Sequence, residues 1–545
     1  MKKIRILSLL LVCLLVISFS SCDAGMNMED GGIIGDINNS SGGSGYAPGV
    51  GDDGMQASPS DTDAVGEVVT ENDMEAVEGT EAESAGKEDE TDDEEQTKPQ
   101  SMVDNPFVDT LISPVSTFSA DVDTASYTYF RKLVNQGYTL RELKGGGSNF
   151  RIEEFINYFD YTAKQPGDDE LFGVTTDIVR CPWNEENYLF RLTLQAEEAK
   201  AVSGNNLVFL IDVSGSMSSS DKLPLLKKAF SYLVSNLNEN DKVSIVTYSG
   251  REAVVLDGCS GSKRDMIMSA INSLRANGST NGEAGLAEAY RIAEKNYIVG
   301  GNNRIIMASD GDLNVGISSA GELTSFIADK RDQGVYLSVL GFGTGNYRDG
   351  NMEALADNGN GVYYYIDGES EAERVFGSDL LGTLYTVAED VKLQLVFNSE
   401  RIKSYRLIGY DNRLLNEEDF NDDTKDAGEV GASHQVTVCY ELVMNDNEIS
   451  VDPMITFKVR YKNPGESFSL LNEYQLGEDI MKDSADEDVK FITCVMEACM
   501  IVRGSLYADN MTMGGVLDEL NALDLSSHPE REEFRLLIEK LAQTE

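Results

Sequence analysis

The sequence predicts an α/β fold in which a doubly wound, mostly parallel sheet occupies the middle of the chain, flanked by β-rich α+β regions and followed by C-terminal helices. Three observations predict it. Across 203–388 short apolar runs alternate with helical segments in repeated βα order, the pattern of a parallel sheet covered on both faces. Beyond 389 the texture becomes alternating and β-rich, and from 490 onward apolar residues recur at helical spacing. At 545 residues the chain exceeds one ordinary core, and about 150 residues per domain divides it into roughly three folded units.

Residues 1–22 read as an export signal, with Lys2, Lys3 and Arg5 ahead of an apolar run over 6–17 and then small residues. Phe19-Ser20-Ser21-Cys22 resembles the bacterial lipobox, whose cysteine carries a thioether-linked diacylglycerol and becomes the mature N-terminus; Phe19 stands where leucine is usual. No later stretch is long and apolar enough to span a bilayer, so membrane attachment rests on Cys22. The expected location is the outer face of a bacterial cell membrane, with a lipid anchor as the only membrane contact.

Residues 23–104 form the expected disordered acidic linker. They are rich in Gly, Ser, Asp and Glu, and 51–100 alone hold 18 carboxylates against Lys87 and Lys98, too polar and self-repelling to bury a core. The whole chain has 94 acidic and 44 basic residues, a formal charge of -50, which excludes nucleic acid as a partner. Beyond Cys13 and Cys22 the five cysteines Cys181, Cys259, Cys439, Cys494 and Cys499 show neither a disulfide framework nor zinc-ligand spacing. Cys494 and Cys499 read as small buried residues of a helix.

In chain order, 105–202 mixes a helix over 125–136 with strands over 174–180 and 188–196. A short amphipathic helix over 151–159 has a charged face expected in solvent. In 203–388 the strands are 206–213, 242–248, 304–309, 336–342 and 362–366, with 253–256 an edge strand. Leu223, Leu226, Phe230, Leu233, Val234 and Leu237 form a helical stripe destined for the sheet. The region 389–465 contributes strands 392–397, 435–443 and 454–461, and 466–545 is helical over 490–507, 515–523 and 530–543. Pro529 precedes the last helix, where a helix start tolerates proline.

Ile211-Asp212-Val213-Ser214-Gly215-Ser216-Met217 follows an apolar strand and precedes a helix. Three oxygen-bearing side chains therefore fall on one turn at the carboxyl end of a strand, where open α/β sheets bind ligands. Hydroxyl and carboxylate oxygens are the hard ligands that Mg²⁺ prefers. With only His434 and His528 in the chain, a histidine-rich zinc site is excluded. Thr280, in a loop before a helix, and Asp310, ending another apolar strand, converge on the same edge.

These residues resemble the von Willebrand factor A domain, a Rossmann-like fold, and its metal-ion-dependent adhesion site. The resemblance implies that Ser214, Ser216 and Thr280 coordinate the ion directly, and that Asp212 and Asp310 do so directly or through water. The ion would be Mg²⁺, or Mn²⁺ or Ca²⁺ in its place, with a sixth position left for an exposed Asp or Glu of a protein ligand. Residues 116–126, 152–160 and 181–184 resemble the N-terminal region of bacterial von Willebrand A lipoproteins. Residues 405–413 and 418–434 resemble that family's C-terminal module of unknown function.

The function expected is metal-dependent binding of a protein partner at the cell surface. The alternative is a structural component of the envelope in which the ion only ties loops together. No enzymatic activity is expected, because neither a Ser-His-Asp set nor a phosphate-cradling motif can be assembled. Asp121-Val122-Asp123-Thr124 reads as a capped helix start rather than a phosphotransfer motif, because no buried strand is expected before it. Asp419 to Asp423 read as a solvated turn. The β-rich pieces at 105–200 and 389–465 are expected to join into one module from which the central domain is inserted.

Overall fold

The computed structural model describes residues 103–545 except 146–149, 169, 200–202, 279–281, 312–319, 344–348, 380–381, 383 and 446–452. The export signal, Cys22, nearly all of the acidic linker and Thr280 lie outside the described residues. In chain order the first elements are β1 (Val108–Asp109), β2 (Val115–Ser119), α1 (Ala125–Asn135), α2 (Leu140–Gly145), α3 (Ile152–Ile156), β3 (Phe172–Arg180) and β4 (Tyr188–Ala196).

The central domain follows as β5 (Asn205–Asp212), α4 (Leu223–Asn236), β6 (Lys242–Ser249), β7 (Arg251–Ser260), α5 (Arg264–Ser273) and α6 (Gly282–Lys295). It continues through β8 (Asn302–Ser309), α7 (Ala320–Arg331), β9 (Tyr336–Phe342), α8 (Asp349–Asn358), β10 (Tyr363–Ile366) and α9 (Glu369–Glu373). Then come β11 (Thr386–Phe397), β12 (Ile402–Ile408), β13 (Leu414–Leu415), β14 (Gly428–Gly431), β15 (Gln435–Met444), β16 (Ile455–Lys462) and β17 (Ser469–Leu476). The described chain closes with α10 (Glu487–Arg503), α11 (Met513–Leu520) and α12 (Pro529–Ala542).

The central sheet runs β10-β9-β8-β5-β6-β7, parallel except for the edge strand β7, which is longer than expected. Strand β5 is buried along its whole length because its side chains serve both faces. Leu207, Phe209 and Ile211 share a core with the α4 stripe, where the Phe209 and Phe230 rings meet at 4.3 Å. Val208 and Leu210 face α6, packing with Leu286 and Ala289. Burial on both faces explains the near-continuous apolar run.

The flanking pieces complete each other's sheets. One sheet runs β1-β12-β15-β4-β3 and the other β13-β2-β11-β16-β17, so each combines strands from before and after the central domain. Phe397 of one stacks on Tyr405 of the other at 4.2 Å, the interdigitation of a β-sandwich. Boundaries at 202 and 388 thus separate stretches of sequence, not cores. The region 466–545 is not wholly helical either, since β17 adds an edge strand beside β16.

A helical layer forms a third core from α1, α3 and α10 to α12. Helix α10 starts where Asp486 accepts the Val489 N–H and stops at Gly504, whose φ of 70° suits glycine. Cys494 and Cys499 are buried in it, and the five cysteines among the described residues are free.

Three further expectations are corrected. The charged residues around α3 are not in solvent: Arg151, Glu153 and Glu154 are buried. Glu154 accepts the Ser126 N–H at 2.6 Å and pairs with Arg151, and Glu153 accepts the Tyr410 N–H at 2.8 Å. A buried strand, β2, does precede Asp121. The helix does start at this segment, with Thr124 at the N-cap position as expected, but no side-chain cap bond forms there among the described residues. Asp123 instead accepts the Tyr363 N–H at 2.9 Å, and Asp121 accepts the Asp123 N–H and an Arg413 N–H.

Candidate metal centre

Strands β5 and β8 are parallel neighbours paired through Ile211 and Ala308, so Asp212 and Asp310 emerge side by side at the carboxyl edge of the sheet. Asp212 is fully buried. Its Oδ1 accepts the Ser214 N–H at 2.7 Å, which folds the turn back over the strand end. The hydroxyls of Ser214 and Ser216 lie 2.9 Å apart, Ser214 buried and Ser216 exposed. The loop before α6 is tied to this turn by the Gly215 N–H to Gly278 O bond at 3.1 Å and the Asn277 N–H to Val213 O bond at 2.7 Å. These bonds stop two residues short of Thr280. Gly278 has φ of 96° and could not carry a Cβ without meeting Ser249 Oγ.

Two buried oxygens point to a cation. Among the described residues Asp212 Oδ2 and Asp310 Oδ1 have no hydrogen-bond partner, and an orphaned buried carboxylate oxygen is costly. Burial, with Asp310 adding to it, pushes the Asp212 carboxyl up to about 6 against the pull of Ser214 and Lys222. Each aspartate thus keeps one oxygen engaged and one free, and with the two serine hydroxyls the donor set is all oxygen, which fits a hard divalent ion. Asp310 Oδ2 is engaged by Lys222 Nζ.

Lys222 carries no motif of its own in the sequence. The only signal there was its place directly before α4, among other polar residues. Its neighbour Asp221 accepts from Lys132 Nζ of α1 at 2.9 Å, linking the rim of the site to the flanking region.

The fold and this edge define a protein built around a von Willebrand factor type A domain. That family's profile matches residues 206–377, a second von Willebrand factor profile matches 93–191, and one described as the C-terminal part of the uncharacterized protein YfbK matches 382–544. The uncharacterized protein YfbK of Escherichia coli strain K12 is 40% identical over 437 residues, 75% of this chain and 75% of its own length. The chain belongs to the YfbK family. Human inter-alpha-trypsin inhibitor heavy chain H3 is 26% identical over 281 residues, 46% of this chain and 30% of its own length. Among solved structures, a von Willebrand factor type A protein from Catenulispora acidiphila aligns with a TM-score of 0.40 at 16% identity, over 68% of this chain and 89% of its own.

Proposed function

We propose that this chain is an exported, lipid-anchored envelope protein that binds a protein partner through a divalent ion held by Asp212, Ser214, Ser216, Thr280 and Asp310. The observation that carries the reading is the pair of buried oxygens, Asp212 Oδ2 and Asp310 Oδ1, that are unpartnered among the described residues. When bound, the ion supplies an electrophilic centre that accepts a carboxylate. Asp212 and Asp310 provide the only two charges among these ligands, so the positive charge stays incompletely neutralised and attracts an exposed Asp or Glu of the partner. Ser214 and Ser216 fix the turn that presents it. The reading is one of binding, not catalysis, with Mg²⁺ or Mn²⁺ as the ion and Cys22 as the anchor.

The test is calorimetric titration of Mn²⁺ into the wild type and Asp212→Ala, paired with pull-downs from the intact envelope with and without EDTA. Loss of Mn²⁺ binding in the variant and loss of partners from a still-folded protein on chelation are the expected results. Equal binding by both proteins overturns the site. Chelation that lowers the melting temperature yet releases no partner favours the ion as a staple of the loops alone.

A further inference from the structure

At the opposite end of the central sheet, where the A domain meets the sandwich, three carboxylates converge. Asp390 lies at an irregularity in β11, between Ala388 and Val391 in the pairing with β14, with φ of 51°. Such bulges re-aim a side chain. Asp426 stands on the loop before β14, and Glu429 on β14 itself. One carboxylate oxygen from each of the three lies within 4.8 Å of the others.

Two aspartates near one another are commonplace, and here each has a cation of its own. Arg331, ending α7, reaches Asp426 at 3.0 Å, and Lys462 on β16 reaches Asp390 at 2.5 Å. Glu429 is different. It is 6% exposed, its Oε1 has no partner among the described residues, and neither cation pairs with it. Arg304, buried on β8, donates instead to Ser338 at 2.7 Å and Thr386 at 3.1 Å. A buried carboxylate oxygen without a hydrogen bond is rare, since the unsatisfied atom carries the full cost of its desolvation. A cation among the three carboxylates satisfies Glu429 and offsets its repulsion by Asp390 and Asp426.

We infer that Asp390, Asp426 and Glu429 form a second divalent-cation site, of calcium type, between the A domain and the sandwich. Three carboxylates can supply three to six oxygens, and calcium takes about six to eight in flexible geometry. Asp426 is exposed, which leaves a side open to water ligands. The ion there joins β11 and β14 of the sandwich to α7 of the A domain, because Arg331 already holds Asp426. This site is independent of the Asp212 loop and shares no residue with it.

The test titrates calcium calorimetrically into the full chain carrying Asp212→Ala, and then into the same chain with Glu429→Gln added. The comparison also cancels weak binding by the acidic segment over 51–100. The expected result is a calcium-binding event in Asp212→Ala that weakens at least tenfold on adding Glu429→Gln, with calcium raising the melting temperature of the first protein and not the second. Asp426→Asn, at an exposed position, gives the same reading should Glu429→Gln fold poorly. Absence of a calcium event in Asp212→Ala, or one unchanged by both substitutions, overturns the inference.

Discussion

Lys222 Nζ donates to Asp310 Oδ2 across 2.8 Å, so an ammonium group touches one of the proposed metal ligands. A fixed positive charge a few ångströms from a cation site lowers its affinity for cations. Lys222→Met should therefore tighten Mn²⁺ binding by roughly 1–2 kcal/mol, about tenfold in Kd. Calorimetry checks this, and weaker binding in the variant would mean that the lysine orders Asp310 rather than competing with the ion.

Arg131 on α1 holds the A domain from outside. Its Nε and Nη2 donate to the two oxygens of Asp367 at 2.7 and 2.6 Å, Nη2 also to Glu371 at 2.8 Å, and Nη1 to the Tyr158 hydroxyl at 2.6 Å. Removing one partner strands buried charge, at a cost of about 3–5 kcal/mol. Arg131→Met should lower the denaturant midpoint accordingly, while Lys228→Ala, which breaks only the exposed pair with Glu369, should change it by under about 1 kcal/mol.

Glu497 on α10 gives a pH signature. Burial, reinforced by Glu519, pushes its carboxyl up to about 8 from the usual 4.5. The folded state therefore binds the proton more tightly than the unfolded state, so this contribution is complete below about pH 4.5 and disappears as pH rises through about 8. Glu497→Gln should match the wild type near pH 4.5 and exceed it by roughly 2–4 kcal/mol near pH 8.5. Denaturant unfolding at the two pH values measures this, and an equal gain at both would assign the effect to something other than ionisation.

Cys22 carries the proposed anchor. Cys22→Ser should move the protein from the membrane fraction to the soluble fraction without altering its melting temperature, as fractionation and calorimetry would show. Retention at the membrane would leave the anchor elsewhere.

What the sequence made legible depended on how local the causes were. Strand β5 announced itself because Leu207 to Ile211 are apolar on both faces, and the Asp212 turn because its donors lie within five residues. Strand β2 did not, since Ser116, Thr117 and Ser119 are polar yet buried. Their partners are distant: the Tyr440 hydroxyl reaches Ser116 at 2.9 Å and Gln394 reaches Thr117 at 3.1 Å. Glu153 looked like a solvated helix face for the same reason, because the Tyr410 N–H that draws it inward is 257 positions away. The role of Lys222 depends on which way one long side chain turns, and no periodicity records that.

The shared sheets also order events during folding. Strand β2 cannot find β11 until the whole A domain has been made, and the Thr117 to Gln394 bond closes a loop of 277 residues. Closing a loop that long from a disordered chain is slow and entropically unfavourable. An A domain that folds first brings β4 and β11 together and shortens that search to a docking step. Lesions in the A-domain core should then leave the N-terminal strands unpaired and open to proteolysis, even where they touch no residue of the sandwich.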